Sequence, residues 1–569
     1  MRRIAFLLAF LFTAASTLPA QFGDFAVTDD GRLYFDTQLT TAGTADISSK
    51  VYRITSEGLS LVAAGGGGNN PFGQSTSFPL TSGDGSITGY SLNYPCSSGS
   101  CGLSGLPHSF FQLQGVELSV PAFNYNLQIS RNGRFLFGAS AFDGTRLVEL
   151  PSQRDRRMPE SLIMSGSQSV ANSGSVLMRD GRTQTSVLLL VPLDGEPAAV
   201  PGTGNATMGI LSPDGSRVAY ERQNGAQFEL VLTDPHGSAH RVLASTPVRS
   251  TYRPSFANDG TLVYLQPGFE GRGVPMLLAS GGEPRALLTV ESGVTQAIIS
   301  GNAQLVWLAS ATGQLLRVRT ADDVADEIIA ESPSVYSSSF FAVPGSVVRL
   351  PGMGFTPRTQ FLLGDRALPV SEVKPNEVAV QIPWEYDLQS GARELTVRGP
   401  ASPFLQRVGF APGSLPTISF ERSNTNGLAQ VAHQDFRGVV TADDPARQGE
   451  TLHVFARNMG PVDLPVTTGQ RSPSSPPARV ITPLACYLIE LDAKDLPVRS
   501  QGIVVPFAGL SGGSIGIYQI DVTIPSGWYA AKTTLQCRMA SEPNRFQGDA
   551  TKLDVAPLES TATAISPTP

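Results

Sequence analysis

Seven times between Val27 and Val306 the chain repeats one phrase: an apolar strand end, a tight polar turn, and a second apolar strand. The turns are built on Asp30-Gly31, Asp84-Gly85, Asn132-Gly133, Ser173-Gly174, Asp214-Gly215, Asp259-Gly260 and Asn302-Ala303. From Gly31 to Ala303 successive copies lie 54, 48, 41, 41, 45 and 43 residues apart. A period of that length is one small sheet of about four strands, repeated radially. It excludes a single large core and directs the chain toward an array of short antiparallel units.

The fifth copy shows what each unit contains. After Gly215 come Arg217-Val218-Ala219-Tyr220, a turn at Gln223-Asn224-Gly225, the strand Phe228-Glu229-Leu230-Val231-Leu232, a turn at Asp234-Pro235-His236-Gly237, and Arg241-Val242-Leu243. Four strands joined by three hairpins make a propeller blade. The reading is an all-β chain beginning with a seven-bladed β-propeller. The alternative is six blades, if the irregular second repeat between Ala63 and Ser119 is only an insertion. Two-residue hairpin turns need positive φ, which Gly, Asn and Asp tolerate, so the aspartates read as turn residues. Calcium is the rival, but carboxylates one blade apart share no coordination sphere. The tract Gly65 to Gly68 lacks the Gly-Lys-Ser/Thr of a phosphate-binding loop and reads as a plain loop.

Composition supports many short strands. Charged residues are only 16%, with 58 glycines and 43 prolines among 569 residues. A chain this long divides into several domains. The net charge of -7, with no basic run, argues against nucleic-acid or anionic-membrane binding.

The phrase Leu211-Ser212-Pro213-Asp214-Gly215-Ser216-Arg217-Val218-Ala219-Tyr220 resembles the repeats of TolB-like and WD40-like bacterial propellers, over residues 21–331. That resemblance implies a fold and no particular ligand, because propellers host binding, scaffolding and catalysis alike. Beyond a break at Glu331-Ser332-Pro333, the segment 335–412 carries Pro344-Gly345-Ser346, Gly352-Met353-Gly354-Phe355 and several short alternating strands. It resembles an IPT/TIG domain, an immunoglobulin-like module. The segment 415–557 reads as a second immunoglobulin-like β-sandwich, in which Tyr518, Ile520, Val522 and Ile524 share one buried face. With Ile382-Pro383-Trp384-Glu385 and Asn458-Met459-Gly460-Pro461, the stretch of about residues 335–557 resembles the Solibacter-type C-terminal region of a family of uncharacterised exported proteins, departing from it between Leu484 and Val505. This second resemblance implies no activity. Residues 558–569 form a Ser/Thr/Pro tail expected to be disordered.

Residues 1–20 read as a secretory signal peptide: Arg2 and Arg3, an apolar run from Ile4 to Phe12, then small residues up to Ala20. No later stretch is long and apolar enough for a membrane span. The mature protein is expected to be periplasmic, cell-surface or extracellular. In that setting four cysteines read as two disulfides. Three pairings exist, and domain locality favours Cys96 with Cys101 and Cys486 with Cys537; zinc is the rival reading.

Catalytic chemistry is weakly marked. Gly512-Gly513-Ser514-Ile515-Gly516 matches a nucleophile elbow, but a strand follows it and no histidine comes after His453. His236 and His240 stand four apart beside Pro235 and Gly237, a hairpin context that does not form the two-ligand face of a helix. His453 reads as a strand-face residue. No catalytic residue, metal ligand or cofactor is assigned. The functional expectation is an exported, non-catalytic binding or scaffold protein, taking a protein or glycan ligand on the propeller surface. The alternatives are an exported hydrolase or lyase acting on polysaccharide or peptide in the funnel, and a cell-envelope adhesion module.

Overall fold

The computed structural model describes residues 22–37, 40–41, 50–64, 75–94, 108–116, 125–140, 144–180, 186–247, 254–267, 273–290, 293–336, 339–374, 376–386, 393–412, 418–422, 428–528, 530, 532–539 and 549–556. Every regular element among them is a strand. None is a helix long and apolar enough to cross a membrane. The expected signal peptide, the Gly65 to Gly68 tract, Cys96 with Cys101, and the 558–569 tail lie outside the described residues. The chain divides into two units: residues up to Pro333 with Ala401–Gln406, and Ser334–Pro400 with Arg407 onward.

The first unit is a succession of antiparallel meanders in chain order. Their strands are Phe22–Val27, Leu33–Thr37, Lys50–Thr55 and Gly58–Ala64; Ser75–Thr81, Thr88–Tyr94 and His108–Gln114; Tyr125–Ile129, Phe135–Ser140, Gly144–Glu149 and Arg154–Arg157; Leu162–Met164, Val176–Asp180, Leu188–Val191 and Ala198–Ala199; Ala206–Leu211, Val218–Asn224, Gln227–Thr233 and Arg241–Thr246; Ser255–Phe256, Leu262–Pro267, Gly273–Leu278 and Arg285–Ala286; and Val294–Ile299, Leu305–Ser310, Leu315–Arg319 and Ala325–Ile329. The sixth and seventh meanders are joined by one pair, Gly273 with Val294. Each copy of the repeated phrase makes the turn between a meander's first and second strands.

Burial explains why the second strands are runs of apolar residues rather than alternating ones. Leu33–Thr37 is buried throughout, as are the first four residues of Val218–Asn224 and of Leu262–Pro267. A strand covered on both faces loses the polar half of the pleat. The covers are neighbouring meanders. Tyr90 packs with Val51 and Ala63, Leu80 with Leu136, Phe137 with Val176, Leu177 with Val218, Ala219 with Leu262, and Val263 with Val306, in the clusters that join successive meanders. A last cluster joins Trp307 and Leu315 of the seventh meander to Leu33, Phe35 and Tyr52 of the first, with Phe404 beside them. The outer strands are correspondingly exposed, as at Ala198–Ala199 and Arg285–Ala286.

The turns differ from the expected two-residue form. In the fifth meander the last ladder pair is Leu211 with Val218, and Ser212 to Arg217 fill the turn. The Gly215 amide donates to the Ser212 carbonyl at 2.9 Å, and Gly215 takes φ +78° while Asp214 keeps a negative φ. Of the two-residue mirror-image turns, type I′ needs positive φ at both central residues and type II′ at the first. Here the one positive-φ residue comes last, after Pro213 and Asp214, so a type I turn followed by a single left-handed residue forms instead. That residue is glycine in six copies and Ala303, at φ +58°, in the seventh. The aspartates hold the turn shut. Asp84 accepts from the Ser82 and Ser86 hydroxyls and the Ser86 amide, at 2.6, 2.8 and 2.9 Å. The Ser82 bond first, then the Ser86 amide, keep its carboxyl below the usual carboxylate range.

The second unit has two apolar clusters. One gathers Leu350, Phe361, Val378, Val380, Val397 and Phe410 between a sheet of Ser334–Val335, Val347–Met353, Glu377–Gln381 and Val370–Lys374 and strands that include Gln360–Leu363 and Arg393–Arg398. The other gathers Leu452, Val454, Tyr518, Ile520, Val522, Trp528 and Leu535. Tyr518, Ile520, Val522 and Ile524 are fully buried, as alternation in Tyr518–Thr523 requires. Strand Pro497–Leu510 pairs through its first half with Leu484–Leu491 and through its second with Tyr518–Thr523. Cys486 and Cys537 face each other across Leu484–Leu491 and Thr533–Met539 and are joined in a disulfide.

Candidate functional site

The first unit gathers its phrases at one place. The residue before each Asp-Gly or variant, in order Asp29, Gly83, Arg131, Asn172, Pro213, Asn258 and Gly301, forms a hydrogen-bonded circuit. The Asp29 amide donates to the Gly83 carbonyl at 2.6 Å, Gly83 to Arg131 at 2.6 Å, Asn172 to Pro213 at 2.7 Å, and Asn258 to Gly301 at 2.9 Å. Between Arg131 and Asn172 the link passes through the next residue: Asn132 donates its amide to Asn172 Oδ1 and its side chain to the Asn172 carbonyl, both at 2.9 Å. The seventh turn meets the first through Asn302, whose amide donates to the Asp29 carbonyl at 3.1 Å. Pro213 has no N–H, so the fifth and sixth turns are linked instead by Arg217, which donates to the Gly260 carbonyl at 3.3 Å and to Ser280 at 2.8 Å.

Inside the circuit, side chains reach past their neighbours. Arg131 of the third meander donates to the Val27 carbonyl of the first at 2.5 Å and to the Ile299 carbonyl of the seventh at 3.2 Å, with Asp29 3.7 Å away. Burial pushes its guanidinium below the usual arginine range, against the opposing pull of Asp29. Gln168 of the fourth meander exchanges two bonds with Phe256 of the sixth, at 3.1 and 2.9 Å. Gln128 of the third bonds Gly166 and Ser169 at 2.5 and 2.7 Å. Contacts that skip a meander must cross the interior. Arg131, Gln128 and Gln168 are therefore engaged in holding the turns and first strands together.

A cavity of about 190 Å³ lies where the first and seventh meanders meet, lined by Asp30, Arg32, Thr55, Ser56, Trp307 and Arg317 among others. Its arginines are engaged: Arg32 with Asp30 and the Asp84 carbonyl, Arg317 with Asp326. Trp307 donates its indole N–H to the Gly31 carbonyl at 3.0 Å.

The motif residues of the second unit meet one another. Asn458 Oδ1 accepts from the Val343 amide at 3.1 Å and the Ser346 hydroxyl at 3.0 Å. The Trp384 amide donates to Thr468 at 2.8 Å, and the Gly469 amide to Gln381 at 2.7 Å. Beside them Arg349 contacts Glu372, Glu377 and Glu421 at 2.6, 2.9 and 3.5 Å, and Arg457 contacts Glu421 at 2.6 Å. With Lys374 3.0 Å from Glu372, three cations meet three carboxylates, and the Arg349–Glu421 contact joins the two apolar clusters of the unit.

The residues weighed for chemistry are dispersed. Ser514 donates its hydroxyl to the Ser511 carbonyl at 2.6 Å within its own turn. His240 meets the Tyr220 hydroxyl at 3.1 Å, while His236 bonds Asp234 through its backbone. His453 is buried, with Asp521 at 2.7 Å on Nδ1 and the Gln434 carbonyl at 3.0 Å on Nε2. Among the described residues no group of three or more His, Cys, Asp or Glu is placed to hold a metal ion. The circuit and Arg131 escaped the sequence reading because that position carries five different residue types. The available signal was its fixed place in the phrase.

The fold is all-β, with a β-propeller in the first unit. Among solved structures, 16% of aligned residues are identical to TolB from Acinetobacter baumannii, over 45% of this chain and 66% of that one, just under two thirds, with a TM-score of 0.31. An oligogalacturonate lyase from Vibrio parahaemolyticus is 14% identical over 54% of this chain and 89% of that one, with a TM-score of 0.32. A puromycin-hydrolyzing peptidase of Mycobacterium tuberculosis is 12% identical over 59% of each chain, with a TM-score of 0.36. No protein-family model and no curated protein matches the sequence. No activity follows from likenesses of this size.

Proposed function

We propose that the chain is an exported binding or scaffold protein, built from a seven-bladed propeller and two immunoglobulin-like sandwiches, the first of IPT/TIG type and the second of Solibacter type. The observation that carries the non-catalytic reading is the commitment of Arg131, Gln128 and Gln168 to backbone groups of other meanders. Side chains used that way are positioning groups for the scaffold rather than acids, bases or nucleophiles. Seven blades are supported by the order of the apolar clusters and by the circuit of turns. Export is supported by the Cys486–Cys537 bridge, which suits an oxidising compartment. On this reading the ligand meets the loops around the propeller rather than a reactive centre.

The test is to present the full-length mature protein to glycan and peptide arrays, and in parallel to assay it on polysaccharides and peptides for new reducing ends, unsaturated uronates or free amines. Retention of an array ligand without turnover, weakened by substitutions in the loops around the propeller, supports the proposal. Turnover that survives purification and is lost on replacing an inward-facing side chain of the first unit would overturn it.

A further inference from the structure

We infer that the second unit carries a glycan-binding platform at Phe436, separate from the propeller and independent of the function proposed for it. Phe436 is the most exposed aromatic residue among the described residues at 58%, yet its ring is packed against a neighbour. It stacks on His453 with centroids 4.1 Å apart and planes 2° from parallel. One face of the phenyl is covered by imidazole, so the exposed area belongs to the opposite face and the edges.

The loop beneath is built to hold it there. Phe436 takes φ +55°, a left-handed conformation that is unfavourable for a bulky residue. Its amide donates to the His433 carbonyl at 2.9 Å, and the His433 amide closes the loop on the Gly438 carbonyl at 3.1 Å. The fully buried His433 meets Glu450 at 2.8 Å, and His453 reaches the Gln434 carbonyl at 3.0 Å. A strained backbone supported from two sides, with an aromatic face left open, is arranged for contact.

The size and surroundings of the platform choose the occupant. Phe436 and Val439 are the large apolar side chains this loop exposes, and a phenyl offers about 100–150 Å² at this exposure. A stable protein partner buries roughly 800 Å² on each side. One pyranose ring covers a phenyl face, presenting C–H groups to the ring and hydroxyls to the rim. The rim is polar: Asp435 and Arg437 flank the ring, and Arg437 lies 3.2 Å from Asp444, 3.4 Å from Asp435 and 3.9 Å from Glu450. Three carboxylates, Asp435, Asp444 and Glu450, outnumber the two guanidiniums beside them, Arg437 and Arg447, and this negative excess disfavours acidic sugars. The ligand class is therefore a neutral, equatorially substituted β-1,4-linked glycan, whose ring faces carry only C–H.

Calorimetric titration of the intact protein with cellohexaose, chitohexaose and hexagalacturonate tests this. At least one neutral hexaose binds, and hexagalacturonate does not. Phe436→Asn keeps a residue that tolerates the left-handed backbone and removes the ring, so affinity falls by about tenfold or more while the thermal midpoint is held or raised. Phe436→Tyr retains binding. The inference is overturned if neither neutral hexaose binds at millimolar concentration, if Phe436→Asn binds as the wild type does, or if hexagalacturonate binds equally. It is also overturned if sedimentation finds a dimer that Phe436→Asn abolishes, which would make a second copy the occupant.

Discussion

Closure of the propeller can be tested between two residues far apart in sequence, Asp29 and Gly301. A Cβ added at Gly301 would stand 1.6 Å from Asp29 Oδ1, 2.5 Å from its Cγ and 2.9 Å from Asn258 Nδ2. Gly301 does not take positive φ, so its replacement by alanine carries a steric cost and no left-handed backbone cost. Asp29 can yield only by rotating its carboxylate, which stands 3.7 Å from Arg131, because its own amide and carbonyl are fixed by Gly83 and Asn302. Overpacking at such a site costs about 1–3 kcal/mol. Asp29→Ala alone removes a partner from a mostly buried guanidinium, a loss of about 1–3 kcal/mol by the same kind of accounting. In the double variant the nearest obstructing atoms are gone, so Gly301→Ala becomes cheap. The coupling in the double-mutant cycle is expected at about 1–2 kcal/mol. Calorimetric unfolding of the four proteins, reading the transition of the first unit, measures it. Additivity within about 0.5 kcal/mol would refute the adjacency of the first and seventh turns.

Ala303→Gly should leave the first unit unchanged or stabilise it by up to about 1 kcal/mol, whereas Gly215→Ala, whose new Cβ would meet Ala171 at an ordinary 3.6 Å, should cost about 1 kcal/mol from the backbone alone; urea unfolding compares them. Reducing Cys486–Cys537, which closes a span of 51 residues, should destabilise the second unit by about 4 kcal/mol on the chain-entropy account, read as the shift of its unfolding midpoint with and without dithiothreitol. The Thr468 hydroxyl first, and Arg366, hold the Glu385 carboxyl at about 2, below its ordinary 4.5. A depressed carboxyl contributes stability above its unfolded value and loses it as pH falls toward the folded one. The second unit should therefore weaken between about pH 4.5 and 2, and Glu385→Gln should flatten that part of the midpoint-against-pH curve.

The propeller was legible because its signal is local and repeated. Asp-Gly turns bracket apolar runs, and one phrase predicts the next. The type of turn was less legible, because Asp214 tolerates positive φ without adopting it. The circuit was hidden because most of its links are backbone groups, indifferent to whether the residue is Asp29, Gly83 or Pro213. Motifs such as Pro344-Gly345-Ser346 and Asn458 were visible singly, but the bond from Ser346 to Asn458 spans 112 positions. Phe436 gave no signal at all, since nothing in a sequence marks a phenylalanine as left-handed or says which face of its ring stays open.

Pro213 leaves one joint of the circuit without a backbone donor. Between the fifth and sixth turns the side chain of Arg217 spans that joint, as side-chain bonds of Asn132 and Asn172 do between the third and fourth. Truncating Arg217 would remove its link, whereas a joint made of main-chain atoms outlasts any change of side chain.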